Sequence, residues 1–324
     1  LFNFPRGEQV EVINLKGVTQ RFKKVNILDN VNLAINQGDM LGVIGQSGSG
    51  KTTLLNLITG FIQPTDGDVV YYSKIHHEER SLTKNLNKVK KHIGFTPQHN
   101  SFYPKLTVME NLLHFGRLYG LDKKTLKDNI KNLLEFTHLS HHKKKLAEHL
   151  SGGMQKRLDI SCSLVHRPKI LVLDEPTADL DPVLQKEILH LLQEVNKQGI
   201  TVVFASHHLE SIEKICNKVV IINDGRVHSY GSLDEIRAPF MRDHFRIKLP
   251  KGADKEHIIE RLRGLPIKNI VQKRHSLVIT PTHVGRTMNE LMEIIKDEGL
   301  QLNDLHFKKA SLNEVFEKIV EGEK

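Results

Sequence analysis

Short apolar runs punctuate a chain otherwise rich in charge. MLGVI (Met40–Ile44), ILVL (Ile170–Leu173), TVVFA (Thr201–Ala205) and VVII (Val219–Ile222) are strand-sized. The first leads straight into GQSGSGKTT (Gly45–Thr53), and KTTLLNLITG then predicts a helix stopped by Gly60. Beyond Gln98, LTVMENLLHFGRLYGLDKKTLKDNIKNLLEFTHL repeats leucines and aromatics at three- and four-residue spacing, which predicts amphipathic helices.

A second pattern begins near Met241, after DGRVHSYGSLDEIRAPF. HFRIKL and SLVITP alternate as strands, KEHIIERLRGL and RTMNELMEIIKDEGL read as helices, the latter stopped by Gly299, and LNDLHF and SLNEVFEKIV add a strand and a last helix. The order β-α-β-β-α-β with a final helix predicts a small ferredoxin-like α+β domain. The stripes Ile258-Ile259-Leu262 and Leu291-Met292-Ile295 are expected beneath its own sheet. The stripe Leu312-Val315-Phe316-Ile319 follows the sheet and is expected to pack back on the larger domain or on a partner's equivalent.

Bulk properties narrow the classes. With 324 residues there is room for one large and one small domain, and 39% hydrophobic with 26% charged residues is a soluble globular balance. No apolar run approaches the ~20 residues of a membrane span. Cys162 and Cys216 form no Cys-x-x-Cys pair, so a reducing setting is expected; no signal peptide is visible, and a start at Leu1 leaves an upstream segment open. A net charge of +9 suits nucleic acid, an anionic membrane surface or neither, and clusters such as KKHIG, LDKKTLK and HHKKKL read most simply as solvated helix faces. The pairs His76-His77 and His141-His142 lack the spacing of a zinc helix and are assigned no metal.

Two motifs carry chemistry. Gly45, Gly50, Lys51 and Thr52 fit Gly-x-x-x-x-Gly-Lys-Thr, with Ser47, Gly48 and Thr53 completing the stretch. Such a loop wraps backbone N–H groups round phosphates because glycine has no Cβ to block the approach, and the following helix aims its N-terminus at the anion. Lys51 is expected on the β- and γ-phosphates of a nucleoside triphosphate, and the Thr52 hydroxyl on Mg²⁺. The second motif is KILVLDEPTADLDP (Lys169–Pro182), in which Asp174 and Glu175 follow a buried strand. Asp174 suits Mg²⁺, directly or through water, while Glu175 suits the orientation and deprotonation of an attacking water.

LSGGMQKR (Leu150–Arg157) resembles the signature of the ATP-binding cassette (ABC) family, and further motifs follow in order. Gln98 in GFTPQHNSFYPKLTVMENL resembles the Q-loop glutamine, TADLD (Thr177–Asp181) the D-loop, and His207 in FASHHLE the switch histidine. Phe22 in VTQRFKK lies where the family stacks an aromatic ring on adenine, though a place in the core is the alternative. The likeness covers about residues 10 to 236. It implies an α/β P-loop NTPase cassette (1–240) with an antiparallel β subdomain and an inserted helical subdomain at about 99–160, then the small domain (241–324). It implies ATP and Mg²⁺ as cofactors, Gln98 sensing the γ-phosphate through Mg²⁺ or the attacking water, and His207 positioning that phosphate. Ser151, Gly152 and Gly153 would form an anion nest backed by a helix dipole, closing over ATP held by a second cassette in a head-to-tail homodimer or heterodimer. Asp181 is carried over as the D-loop residue.

Two positions depart from the family pattern: Asp179 stands where relatives often have glycine, and Gln46 where many have proline or asparagine. The compact interval from Gln98 to Leu150 excludes the long coiled coil of chromosome-maintenance and repair members. SLNEVFEKIV resembles the end of cassettes serving drug, sodium and polysaccharide exporters, where SLEDVF is typical. The resemblance thus implies the ATPase subunit of an exporter, peripheral on the cytoplasmic face of the cell membrane beneath separate transmembrane permease subunits, with no specific nucleic acid expected. The competing class is a soluble cassette ATPase acting on ribosomes or nucleic acid. It is disfavoured by the single cassette and by the lack of zinc-binding cysteines, though a truncated first cassette before Leu1 would reopen it.

Overall fold

The structure, a computed structural model, describes residues 11–73, 78–240, 245–248, 255–273, 276–282, 284–297 and 311–322. It divides into two compact units, residues 1–236 with 318–324, and residues 237–317.

In the first unit, β1 (Glu11–Phe22) and β2 (Val25–Asn36) pair antiparallel across a tight turn at Lys23. Their buried residues do not alternate cleanly. Leu15 is followed inside by Val18, and Leu28 by Val31, because Gly17 and Asn30 take left-handed backbone (φ 59° and 50°) where the register shifts. Then come β3 (Met40–Gly45), α1 (Lys51–Thr59), β4 (Asp66–Ser73), β5 (Glu78–Ser81), α2 (Leu86–Val89) and β6 (Ile93–Thr96). The order β2-β1-β4-β5 makes an antiparallel four-stranded sheet.

The helical insert holds α3 (Val108–Leu118), α4 (Lys123–Phe136) and α5 (Gly152–Leu164). Thr107 and Glu110 form a reciprocal capping box at the start of α3, and Asp122 caps α4. Val108, Leu112, Leu126, Ile130, Leu134 and Leu158 share one buried cluster, the apolar face that the periodicity predicts. Next come β7 (Ile170–Asp174), α6 (Pro182–Lys197), β8 (Thr201–Ala205), α7 (Leu209–Ile215), β9 (Lys218–Asn223), β10 (Arg226–Gly231) and α8 (Leu233–Arg237). The second sheet runs β10-β9-β3-β8-β7-β6, with only the β9–β10 pair antiparallel. Every residue of β3, β7 and β8 is buried, as a parallel sheet covered on both faces requires. Cys162 and Cys216 are separate buried thiols.

The other unit carries β11 (Phe245–Lys248), α9 (Lys255–Arg263), β12 (Ile267–Lys273), β13 (Ser276–Pro281) and α10 (Val284–Asp297), and α11 (Leu312–Glu321) ends the described chain. Its described strands form an antiparallel sheet in the order β11-β13-β12, the arrangement of a split β-α-β unit. The predicted strand LNDLHF, the stop at Gly299 and the pair His76-His77 lie outside the described residues. One detail corrects the expected stripes. Met292 is 42% exposed, and Ile294 is buried beside Leu291 and Ile295 instead. In the last stripe Leu312, Val315 and Ile319 are buried and Phe316 is half-buried.

His166, just beyond α5, is buried and stacks on Tyr119 with centroids 3.5 Å apart, while its Nε2 lies 3.2 Å from the Ile93 carbonyl. Burial lowers its pKa from 6.5 to about 4. Between those values the unfolded chain binds more protons, so this histidine's stabilising contribution is complete above 6.5 and drains as pH falls toward 4. Between neutral pH and about pH 4.5 the loss comes to roughly 2–3 kcal/mol. Urea denaturation at the two pH values should show it, and His166→Phe, which keeps the stacked ring, should flatten the dependence by most of that amount.

Candidate functional site

The parallel register brings the two chemical motifs together. Ala205 of β8 pairs with Val43 of β3 on one side and with Asp174 of β7 on the other. The carboxyl ends of three neighbouring strands therefore lie abreast, where open α/β sheets bind ligands. Hydrogen bonds continue the alignment past the strands, from Glu175 N to Ala205 O (3.0 Å) and from Ser206 N to Val43 O (3.2 Å).

The loop after β3 needs its glycines. At Gly45 a Cβ would lie 2.2 Å from Ser49 Oγ and 2.6 Å from the Ile222 carbonyl. Gly50 caps α1 with φ 105°, backbone closed to ordinary side chains. Lys51 Nζ donates to the carbonyls of Gly45 and Gln46, both at 2.9 Å. Burial lowers its pKa, against the opposing pull of Glu175 and Asp174. Gln46 is exposed. Thr52 Oγ1 donates to Asp174 Oδ2 at 2.7 Å. Burial raises the Asp174 pKa, the Thr52 hydrogen bond lowers it and the Glu175 charge adds to the rise. Glu175 is itself buried, and its Oε2 is 2.9 Å from His207 Nδ1.

Phe22, Ile27, Ser47, Gly48, Gly50, Lys51, Thr52, Thr53, Gln98, Asp174, Glu175 and His207 line one open cleft of about 470 Å³, a volume suited to a nucleotide. Phe22 is 49% exposed, which removes the core alternative. Ile27 is an addition from the structure; an isolated apolar residue on a strand carries no chemical signal in the sequence. Gly45, Ser151, Gly152, Gly153 and Asp181 are not among the lining residues. Gly45 sits under the loop, accepting from Lys51. Ser151 caps α5, Asp181 caps α6 through the N–H groups of Val183 and Leu184, and Leu180 and Leu184 flank Gly152 and Gly153. Asp179 takes φ 60°, a left-handed backbone that favours glycine. Thr177 Oγ1 is buried and has no hydrogen-bond partner among the described residues.

A glycine-rich loop with its lysine, a hydroxyl beside a carboxylate, and a second carboxylate held by histidine define a P-loop nucleoside triphosphatase. Residues 28–178 match the family described as ABC transporter, and residues 231–320 match the ATP-binding protein DrrA1-3-like C-terminal domain. The chain is 33% identical over 295 residues to the methionine import ATP-binding protein MetN of Clostridioides difficile (strain 630), covering 90% of this chain and 89% of that protein. It is 28% identical over 312 residues to the bacitracin transport ATP-binding protein BcrA of Bacillus licheniformis, covering 96% and 98%. It is 27% identical over 308 residues to the linearmycin resistance ATP-binding protein LnrL of Bacillus subtilis (strain 168), covering 94% and 97%. Among solved structures, the dimeric post-hydrolysis state of the ATP-binding cassette MJ0796 bound to ADP and Pi superposes with a TM-score of 0.59 at 30% identity, covering 68% of this chain and 98% of that one. The chain belongs to the ATP-binding proteins of ABC transporters; it binds ATP and is an ATPase.

Lys51→Ala removes the loop's one cation against the phosphates. A charge-assisted hydrogen bond contributes about 1.5–3 kcal/mol, so affinity for a fluorescent ATP analogue should fall roughly ten- to hundredfold. The melting temperature should change little, since Lys51 bonds only to carbonyls of its own loop.

Proposed function

We propose that this chain is the ATPase subunit of a membrane exporter, acting as a head-to-tail dimer beneath separate transmembrane permease subunits on the cytoplasmic face of the membrane. The observation that carries it is the division of groups: Lys51, Thr52, Gln98, Asp174, Glu175 and His207 share one cleft, while the Ser151–Gly153 helix start stands apart from it. Ser151 and Gly152 are exposed, so a phosphate held by another chain can reach them. Among the described residues no helix is long and apolar enough to cross a membrane, which leaves the crossing to other subunits.

Inside the cleft Lys51 and the loop N–H groups hold the β- and γ-phosphates, Phe22 stacks on adenine, and Asp181 belongs to the segment facing the second cassette. The Thr52 hydroxyl, the Asp174 carboxylate and the Gln98 side chain are hard oxygen donors that fit Mg²⁺. Bound there, the ion would neutralise charge on the phosphates. Glu175 takes the proton of the attacking water, and His207, held by Glu175, positions the γ-phosphate. Export is supported by the DrrA1-3-like match at residues 231–320 and by the likeness to BcrA and LnrL. The likeness to MetN supports an importer as the second reading. Reconstitution with whichever membrane subunits co-purify decides between them: ATP-driven accumulation inside inverted vesicles means export, and accumulation inside right-side-out vesicles means import. Residues 1–240 form the motor in this reading, and residues 241–324, which bear no phosphate loop, regulate it.

Glu175→Gln should keep ATP affinity and lower turnover by ~10²- to 10⁴-fold. An ATP-dependent dimer should then accumulate on size exclusion. Ser151→Arg in that background should keep the affinity but abolish the dimer; equal loss of ATP binding in both variants would contradict action on the partner's nucleotide.

A chain ending at Pro239 should still bind ATP through Lys51 and Thr52 yet dimerise more weakly. Identical sedimentation and turnover would show that the last 85 residues serve something outside the ATPase cycle.

A further inference from the structure

α5 carries two charges turned into the protein: Lys156 is 6% exposed and Asp159 is fully buried. Interior charges persist where they are paired and hydrogen-bonded. Asp159 Oδ1 accepts two hydrogen bonds from Ser101, from its backbone N–H at 2.9 Å and its hydroxyl at 2.6 Å. Its Oδ2 has no hydrogen-bond partner among the described residues, and Lys156 Nζ lies 3.9 Å away. Burial raises the Asp159 pKa and lowers that of Lys156, and the Asp159 carboxylate opposes the latter shift.

The partners come from two segments of the proposed machinery. Ser101 lies three residues beyond Gln98, and Asp159 and Lys156 lie on the helix capped by Ser151. A loosely closed buried pair is a poor device for stability, since apolar residues of similar size often do as well or better. It does fix register, because each charge tolerates only arrangements that keep its partner near.

We propose that Ser101, Asp159 and Lys156 form a buried relay that holds the loop carrying Gln98 and the helix that starts at Ser151 in one arrangement. The relay thereby couples the position of the Gln98 loop to the surface that closes on the second nucleotide. These are positioning residues: none of the three lines the nucleotide cleft. The inference rests on the dimeric ABC ATPase reading given above.

The test uses the full chain and its Asp159→Ala, Asp159→Asn, Ser101→Ala and Ser101→Ala/Asp159→Ala variants. Readouts are affinity for TNP-ATP, kcat and KM for MgATP, and the ATP-dependent dimer constant in a Glu175→Gln background. The relay requires TNP-ATP affinity and KM within about twofold of wild type for Asp159→Ala, with kcat down at least about fivefold and the dimer weakened about tenfold or more. The double variant should be no worse than the worse single one, because both break the same link. Asp159→Asn keeps an acceptor for Ser101 and loses the attraction to Lys156, so it should fall between wild type and Asp159→Ala. Should Asp159→Ala not fold, Ser101→Ala and Asp159→Asn carry the same comparison. Unchanged kcat and dimer constant, additive effects, or losses that track TNP-ATP affinity and melting temperature would each overturn the relay. A wild-type chain that fails to bind TNP-ATP would overturn the ATPase reading and the relay with it; wild-type binding and turnover with silent variants overturns the relay alone.

Discussion

The parallel register of β3, β8 and β7 is the constraint on which the rest depends. Val43, Ala205 and Asp174 stand side by side, so the residues just beyond them emerge at one edge of the sheet: the phosphate loop, the Asp174-Glu175 pair and His207. Shifting one strand by a residue would turn its side chains to the opposite face and carry the following loop about 3.3 Å along the sheet. That spacing exceeds the tolerance of a hydrogen bond such as Thr52–Asp174 at 2.7 Å. The wholly apolar interior of these strands, which looks like mere core, is therefore what gives the polar groups their geometry.

Electrostatics in the cleft follow from that convergence. Two buried carboxylates and one half-buried lysine are forced into a small volume. Desolvation drives Asp174 and Lys51 toward their neutral forms, while their mutual attraction opposes it. In the proposed reading such a site has much to gain from a polyanion accompanied by a divalent cation: phosphates would answer Lys51, and the cation would answer Asp174 beside the Thr52 hydroxyl. The cleft is thus primed for the pair together more than for either alone.

What the sequence disclosed, and what it withheld, follow a physical line. The phosphate loop was legible because its glycines answer local demands, such as the 2.6 Å approach to the Ile222 carbonyl at Gly45. The core strands and the helices of the insert were legible because burial leaves its period in the composition. The long antiparallel pair β1–β2 was foreseen only through family likeness, since the irregularities at Gly17 and Asn30 interrupt the alternation that marks a strand. The order β-α-β-β-α-β called for β12, but its segment IKNIVQK was not assigned, because only Ile267 and Ile270 pack partly on the core while Val271 is 44% exposed. Asp159 was the hardest case. A charge within an apolar helix hints at a partner, but that partner, Ser101, lies 58 residues earlier in a loop without a period of its own.

The contrast between the two kinds of polar group is informative about mechanism. Within the cleft Asp174 and Glu175 are buried, but His207 keeps solvent access with a side chain 57% exposed, so it can exchange partners when a ligand arrives. Asp159 and Lys156 sit inside a helix and are nearly closed to water, so they can only hold the partners they have. Chemistry needs the first property and mechanical coupling needs the second. In the proposed reading a motor that converts hydrolysis into movement requires both within one chain, and α5 is where they would meet: its N-terminus is exposed, and its next turn is hydrogen-bonded through Asp159 to Ser101, three residues beyond Gln98.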